Sequence, residues 1–248
     1  SVPSGRPKGW VDEEEPEKVA RAVLEMNLRH AVITSVTRDD LPDGGAAHFA
    51  ASIKAVRRLN PPTTIEVLTP DFLGNPRSIA TVLESSPEVF GHNIETVRGL
   101  YGTLRGQRYA YDLGLTVLRM AASFREPVII KSAIMVGHGE TSEEVRRTLL
   151  DLLEAGCEAV CIGQYLRPSK KQREVVEFVH PDQFRAYEEL AYALGFQFAV
   201  AGPFVRSSYR SEQMMQMPFA RERFARRREQ PGRPGHQLTV GTTRQLGG

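Results

Sequence analysis

Only two of the 248 residues are cysteines. That is too few for a disulfide framework, and it points to a reducing, cytoplasmic setting. No run approaches the ~20 apolar residues of a membrane span. The opening residues, SVPSGRPKGW, carry neither an initiator Met nor the apolar core of a signal peptide, so a processed chain or a missing beginning is expected. An excess of one charge is also absent. The 32 Lys plus Arg stand against 30 Asp plus Glu, a net charge of +2, which argues against dedicated nucleic-acid binding. What is present is apolar sequence, 41% of residues, enough to core one large α/β domain or two small ones. A monomer is the default expectation.

An apolar, β-branched run at 31–36 breaks into Thr37-Arg38-Asp39-Asp40, then Leu41-Pro42-Asp43-Gly44-Gly45, before a helical pattern starts at Ala46. That reads as a strand, a charged glycine-rich loop and a helix. The unit recurs five times, with further strands expected at 64–69, 87–91, 127–135 and 159–162. Helical spacing covers 46–59, 76–84, 97–104, 111–123 and 184–194, with an acidic helix start at 12–15 and N-cap chemistry at Thr141. A last strand-like run at 196–201 leads into Gly202-Pro203-Phe204-Val205-Arg206-Ser207-Ser208-Tyr209. Beyond residue 217 the chain turns Arg-, Pro- and Gly-rich, and 218–248 reads as a disordered basic tail behind a core of 1–217. Alternating strands and helices give a parallel barrel or a doubly wound sheet, and five units fall short of the closed eightfold barrel. In a barrel, Asp39, Asp40, Asp71, Asn93, Glu95, His138, Glu140, Gln164 and Tyr165 converge on one rim.

Cys157 and Cys161 do not suit a metal. If extended they lie about 13 Å apart, at ~3.3 Å per residue, whereas one tetrahedral ion needs both sulfurs at about 2.3 Å. Packing as small buried hydrophobes is the better reading. Lys131 sits inside the apolar run PVIIKSAIM, which is expensive unless it is paired or faces a site. It could be a Schiff-base amine, an anion anchor, or a cation reaching the rim to pair with Glu95 or Glu140. His92 and His138 show no metal-ligand spacing and suit polar rim roles. Arg206 to Tyr209 reads as an anion site or a turn.

Seven segments together resemble lipoyl synthase, a family of radical S-adenosylmethionine enzymes. They are GRPKGW (5–10), VITSVTRDDLPDGGA (32–46), IEVLTPDFLGN (65–75), HNIETV (92–97), KSAIMVGHGET (131–141), IGQYLRPS (162–169) and GPFVRSSY (202–209). The resemblance implies a partial (β/α)6 TIM-type barrel holding two [4Fe–4S] clusters. One cluster cleaves S-adenosylmethionine to a radical that removes hydrogens from C6 and C8 of an octanoyl chain, and the auxiliary cluster donates two sulfurs. The octanoyl chain rides on a lipoyl-domain protein or a glycine-cleavage H protein, and flavodoxin or ferredoxin supplies electrons. By motif position, Ser208 becomes a ligand of the auxiliary cluster, with Ser207 the fallback. Asp39, Gly44, Gly45, Asn93, Glu95, Lys131 and Gln164 become cofactor contacts.

The chain departs from the family pattern in one large respect. The family binds its clusters through a CxxxxCxxxxxC set and a CxxxCxxC set, both upstream of GRP, and neither is in these residues. The expectation is an N-terminally truncated enzyme, without its cluster loops and first barrel strand, that does not turn over. The alternative is a cluster-less barrel that docks lipoyl domains. Smaller departures are Ala133, His138 and Gln172.

Overall fold

The computed structural model describes residues 11–105 and 110–229. Its six strands form one sheet in chain order: β1 His30–Thr34, β2 Thr64–Leu68, β3 Val89–Gly91, β4 Ile129–Val136, β5 Ala159–Gln164 and β6 Phe198–Gly202. All five pairings are parallel, and β1 and β6 do not meet, so the sheet is an open, partial barrel. Sequential order resolves what periodicity leaves open, because a doubly wound sheet reverses its strand order and carries helices on both faces. Crossovers of the usual right-handed sense instead place every connecting helix outside.

The connectors are α2 Ala46–Leu59, α3 Pro76–Glu84, α4 Arg98–Arg105, α5 Tyr111–Ala122, α6 Ser142–Glu154 and α7 Pro181–Leu194, and α1 Glu15–Glu25 precedes the sheet. Local chemistry sets their ends. Asn75 accepts the Arg77 N–H at the start of α3, and Thr141 with Glu144 forms a capping box on α6. Gly195 stops α7 at a φ of 119°, where a side chain is strained. The first strand is shorter than its apolar run, because Ser35 and Val36 leave the sheet exposed.

Strand residues alternate between two cores with period two. Phe90, Ile130, Ile134, Val160, Ile162 and Ala199 face the helices. Val89, Ile129, Ala133, Ala159, Cys161, Phe198 and Val200 face inward. Among the described residues no opposite strand fills that concave face. It is filled by the chain after β6, through Val205, Met214 and Met215 near α8 (Ser211–Met214) and through Ala220 and Phe224 of α9 (Pro218–Glu229). The expected disordered tail is therefore helical over Pro218–Glu229. Arg223 of α9 also pairs with Glu158 and donates to the Val128 carbonyl. Two buried apolar residues in an Arg-rich run are too sparse to reveal that helix by periodicity. The remainder of the tail lies outside the described residues, as does GRPKGW.

Lys131 belongs to this inner layer and not to the rim. It is 2% exposed, and its ammonium donates to Glu66 Oε1 at 2.9 Å, Glu66 Oε2 at 3.2 Å and Ser211 Oγ at 2.6 Å. It touches neither Glu95 nor Glu140, because those carboxylates stand at the strand ends. His30 approaches Glu66 Oε2 at 3.3 Å, and its other ring nitrogen meets Thr64 Oγ1 at 2.8 Å. Burial pushes the Glu66 carboxyl up, but the His30 hydrogen bond and the Lys131 charge outweigh it and hold it below the usual range.

Removing one partner of such a pair strands the other charge. Lys131→Met should cost about 3–5 kcal/mol, while the double variant Lys131→Met with Glu66→Leu should recover most of the loss. Urea unfolding of the two variants, followed by circular dichroism, measures both.

Candidate functional site

A cleft of about 170 Å³ opens beyond the carboxyl ends of β1, β2 and β3. Thr34, Ser35 and Thr37 line it from β1, and Thr69 and Asp71 from β2. His92, Asn93 and Glu95 line it from β3, and Tyr101 from α4. Thr34 Oγ1 donates to the Leu68 carbonyl at 3.0 Å and ties the first two walls together. The Asp71 carboxylate accepts the Leu73 N–H at 2.9 Å, bending the chain through Phe72 and Leu73 at φ of 49° and 51°. The Phe72 ring then packs edge-on against Phe49, with centroids 6.2 Å apart.

The wall after β3 is held by β4. The His92 and Glu95 N–H groups donate to the Lys131 and Ala133 carbonyls, and the Met135 N–H donates to the Glu95 carbonyl. The Ile94 N–H has no carbonyl opposite and donates to Ser132 Oγ at 3.2 Å. This explains the serine within an apolar strand. Glu95 is held at a φ of 73°, an uncommon conformation that marks a position over-determined by its surroundings. His92 is buried, with Nδ1 3.0 Å from the Thr69 carbonyl, so that nitrogen carries the proton.

The lining has four aliphatic hydroxyls, a phenol, an amide, an imidazole and two carboxylates, with no Lys or Arg among the described lining residues. Those described residues offer a phosphate no cation. A ligand carrying positive charge and hydroxyl groups suits it, and S-adenosylmethionine, with its sulfonium, ammonium and ribose, is of that kind.

Of the cofactor contacts that the resemblance implied, Asn93 and Glu95 line the cleft, and the others lie elsewhere. Asp39 lies half-buried in the loop after β1, outside the cleft lining, beside an Arg38–Asp40 pair at 2.8 Å. Gly44 and Gly45 serve the turn into α2. A Cβ on Gly44 would stand 2.9 Å from the Phe72 ring, so the space expected for a ligand holds a side chain. Gly45 caps α2 at a φ of 87°. Lys131 is consumed by the interior pair. Gln164 is buried with its amide fully engaged: Nε2 donates to the Glu177 carbonyl at 2.9 Å, and Oε1 accepts the Val179 N–H at 2.9 Å. Ser208 lies exposed in the turn before α8, its carbonyl accepting the Ser211 N–H. The cleft residues that sequence reading missed are hydroxyls at strand ends. Their only signal is a polar residue directly following an apolar run.

An iron–sulfur cluster does not fit the residues described. Cys157 and Cys161 are both buried, and burial pushes the Cys157 thiol far up and the Cys161 thiol up to about 11, away from the thiolate a cluster needs. Among the described residues no three His, Cys, Asp or Glu side chains gather to hold a metal.

Residues 1–152 match the Radical SAM superfamily model. The chain is 50% identical over 212 residues to lipoyl synthase of Caldanaerobacter subterraneus subsp. tengcongensis, covering 86% of this chain and 74% of that one. It is 51% identical to lipoyl synthase of Caldicellulosiruptor bescii, over 85% of this chain and 72% of the other. The Thermus thermophilus lipoyl synthase is 47% identical over 86% of this chain and 66% of its own length. Among solved structures, methylornithine synthase (PylB) superposes with a TM-score of 0.54 at 12% identity, over 81% of this chain and 67% of that one, a likeness of fold.

At the far side of the rim, His138 stacks on Tyr165 with centroids 4.1 Å apart, and its Nδ1 is buried without a hydrogen-bond partner. Burial lowers its pKa, Glu140 draws it back up, and Arg173 lowers it further, for a net fall. The unfolded chain therefore takes up this proton first, at about pH 6.5, and stability falls as pH drops from there toward the lowered folded value. His138→Leu removes both the orphan nitrogen and that titration. It should raise stability by about 1 kcal/mol near neutrality, and by more at about pH 5.5. Thermal melts at the two pH values, compared with the parent protein, test this.

Proposed function

We infer the activity from the family: the chain belongs to the lipoyl synthase family of the radical SAM superfamily. It is accordingly a sulfur-transferring enzyme built on a partial barrel. In finer terms, we propose that the protein inserts two sulfur atoms at C6 and C8 of an octanoyl group carried on a lysine of a lipoyl-domain or glycine-cleavage H protein. S-adenosylmethionine, when bound, supplies the radical chemistry that removes the hydrogens, and the family's sulfur donor is an auxiliary [4Fe–4S] cluster.

The observation that carries this reading is the carboxylate-bearing cleft at the ends of β1, β2 and β3, in a chain about half identical to lipoyl synthases. Asp71 and Glu95 supply negative charge to a cationic cofactor, and Asn93 and the strand-end hydroxyls supply hydrogen bonds to its sugar and amino acid ends. His92, locked by the Thr69 carbonyl, keeps that wall from moving. Ser208 is the proposed protein ligand of the auxiliary cluster, and its exposure before α8 leaves its hydroxyl accessible. The remaining ligands of any cluster must be residues other than those described.

Asn93→Ala and Glu95→Gln should each weaken S-adenosylmethionine binding roughly tenfold to a hundredfold, the range for hydrogen bonds to charged groups. Titration calorimetry on anaerobic protein reads this, and unchanged affinity in both variants would remove the cleft from the reaction. Activity itself is tested by mass spectrometry of an octanoylated lipoyl domain, which should gain two sulfur atoms in place of two hydrogens.

The 248 residues alone, with two buried cysteines, should not form a cluster on anaerobic reconstitution. A stable [4Fe–4S] absorbance from this chain would overturn that. The same observation favours a second reading, a barrel that binds lipoyl domains without turnover. That reading predicts domain binding with no cofactor affinity at all.

A further inference from the structure

Asn93 and Glu95 line the cleft, and Ile94 between them does not. Ile94 is fully buried and is gripped from two sides. From β4, Ser132 Oγ accepts its N–H at 3.2 Å. The His92 and Glu95 N–H groups find backbone carbonyls on either side of that serine, at Lys131 and Ala133. From α5, Gly114 leaves the space that the Ile94 side chain fills. A Cβ there would stand 2.7 Å from Ile94 Cδ1 and 3.3 Å from His92 Nε2. Gly114 lies inside a helix, where glycine is a poor choice, and its backbone is not left-handed. The close approach of the β3 wall is what calls for a glycine here.

Neither residue can reach a ligand with a side chain. Ser132 is 1% exposed and lies outside the cleft lining, and Gly114 has no side chain to offer. What they control is the backbone that carries Asn93 and Glu95. Glu95 sits at a φ of 73°, a conformation that persists only while its neighbours leave no alternative. Without the serine hydroxyl, the Ile94 N–H loses its buried acceptor, and the wall gains by shifting toward another. A Cβ on Gly114 would push on the Ile94 side chain or on the His92 ring. Either shift carries the Asn93 amide and the Glu95 carboxylate away from a ligand, and small misplacements of such groups are costly.

We propose that Ser132 and Gly114 are positioning residues for cofactor binding: acting through Ile94, they set Asn93 and Glu95 against S-adenosylmethionine. This rests on the reading of the cleft given above.

The test is titration calorimetry of S-adenosylmethionine on the anaerobically purified full-length holoenzyme, with thermal melts of the same samples. Ser132→Ala and Gly114→Ala should each raise Kd roughly fivefold to twentyfold, with the binding stoichiometry of the parent. Ser132→Thr keeps the acceptor oxygen and should stay within about threefold of the parent. Because the serine acts through its neighbours, adding Ser132→Ala to Glu95→Gln should cost less than the product of the two separate losses. Unchanged Kd in both alanine variants, whatever their melting temperatures, would overturn the proposal. So would losses that multiply in the double variant, or a threonine variant as weak as the alanine one. Should Ser132→Ala not fold, Gly114→Ala, alone and with Glu95→Gln, decides by the same criteria. A parent enzyme that does not bind S-adenosylmethionine, or Asn93→Ala and Glu95→Gln variants that bind it as tightly as the parent, would instead overturn the reading of the cleft.

Discussion

The Glu66–Lys131 pair lies at the centre of a concave face that an open sheet cannot close by itself. In a complete barrel that face is filled by side chains from opposite strands. Among the described residues no opposite strand does so, and the chain after β6 folds back in its place. Lys131 has three ammonium protons, and three acceptors meet it: both oxygens of Glu66 and the hydroxyl of Ser211. The first two come from the sheet and the third from α8. His30 and Thr64 extend the same network to β1. The ion pair therefore does more than neutralise a buried lysine. It fixes where α8 begins, and so where the turn at 206–210 sits above the inner layer.

The two sides of the rim are built differently. On the β1 to β3 side, backbone strain and carboxylates coincide: Glu95 lines the cleft, and Phe72 and Leu73 directly follow Asp71, all three in left-handed conformations. Such residues cost of order 1–3 kcal/mol each and persist only where neighbours leave no alternative. For Glu95 the constraint is two backbone hydrogen bonds to β4, and for Phe72 it is the glycine opposite its ring. On the β5 to β6 side the backbone is pinned by Gln164, and the outward groups include aromatic rings and charges of both signs.

Much of this architecture is legible in the sequence, and the illegible part has specific causes. Every strand and connecting helix shows as a change of period, because each buries one face against the next layer. Asn93 and Glu95 are legible for the same reason: they directly follow a short apolar strand that must stop at the rim. Lys131 and Gln164 are not, because a polar residue in a strand looks alike whether it faces a ligand or a buried partner far along the chain. Glu66 and Ser211 lie 65 and 80 residues away from Lys131. Gly44 misleads in a related way. Its demand for space is real, but a phenylalanine from the next rim loop meets it. Helix α9 is hidden because its two anchoring residues sit among arginines that composition alone reads as solvated.

The departures from the family's motif pattern fall where packing, not ligand contact, decides the residue. Ala133 points into the inner layer among Ile129, Ala159 and Cys161, where a methyl group is simply added volume. Gln172 lies in the exposed loop after β5, where its carbonyl accepts from Arg167 and its amide oxygen from Ser169. His138 rests on Tyr165 and leaves one ring nitrogen without a partner, a defect of local packing behind the rim. None of the three lines the cleft. Substitution at these positions acts first on local packing. The cleft walls are held by backbone bonds to β4 and by residues that the quoted motifs retain. Substitution there would change both the fold of the rim and the charge it offers to a ligand.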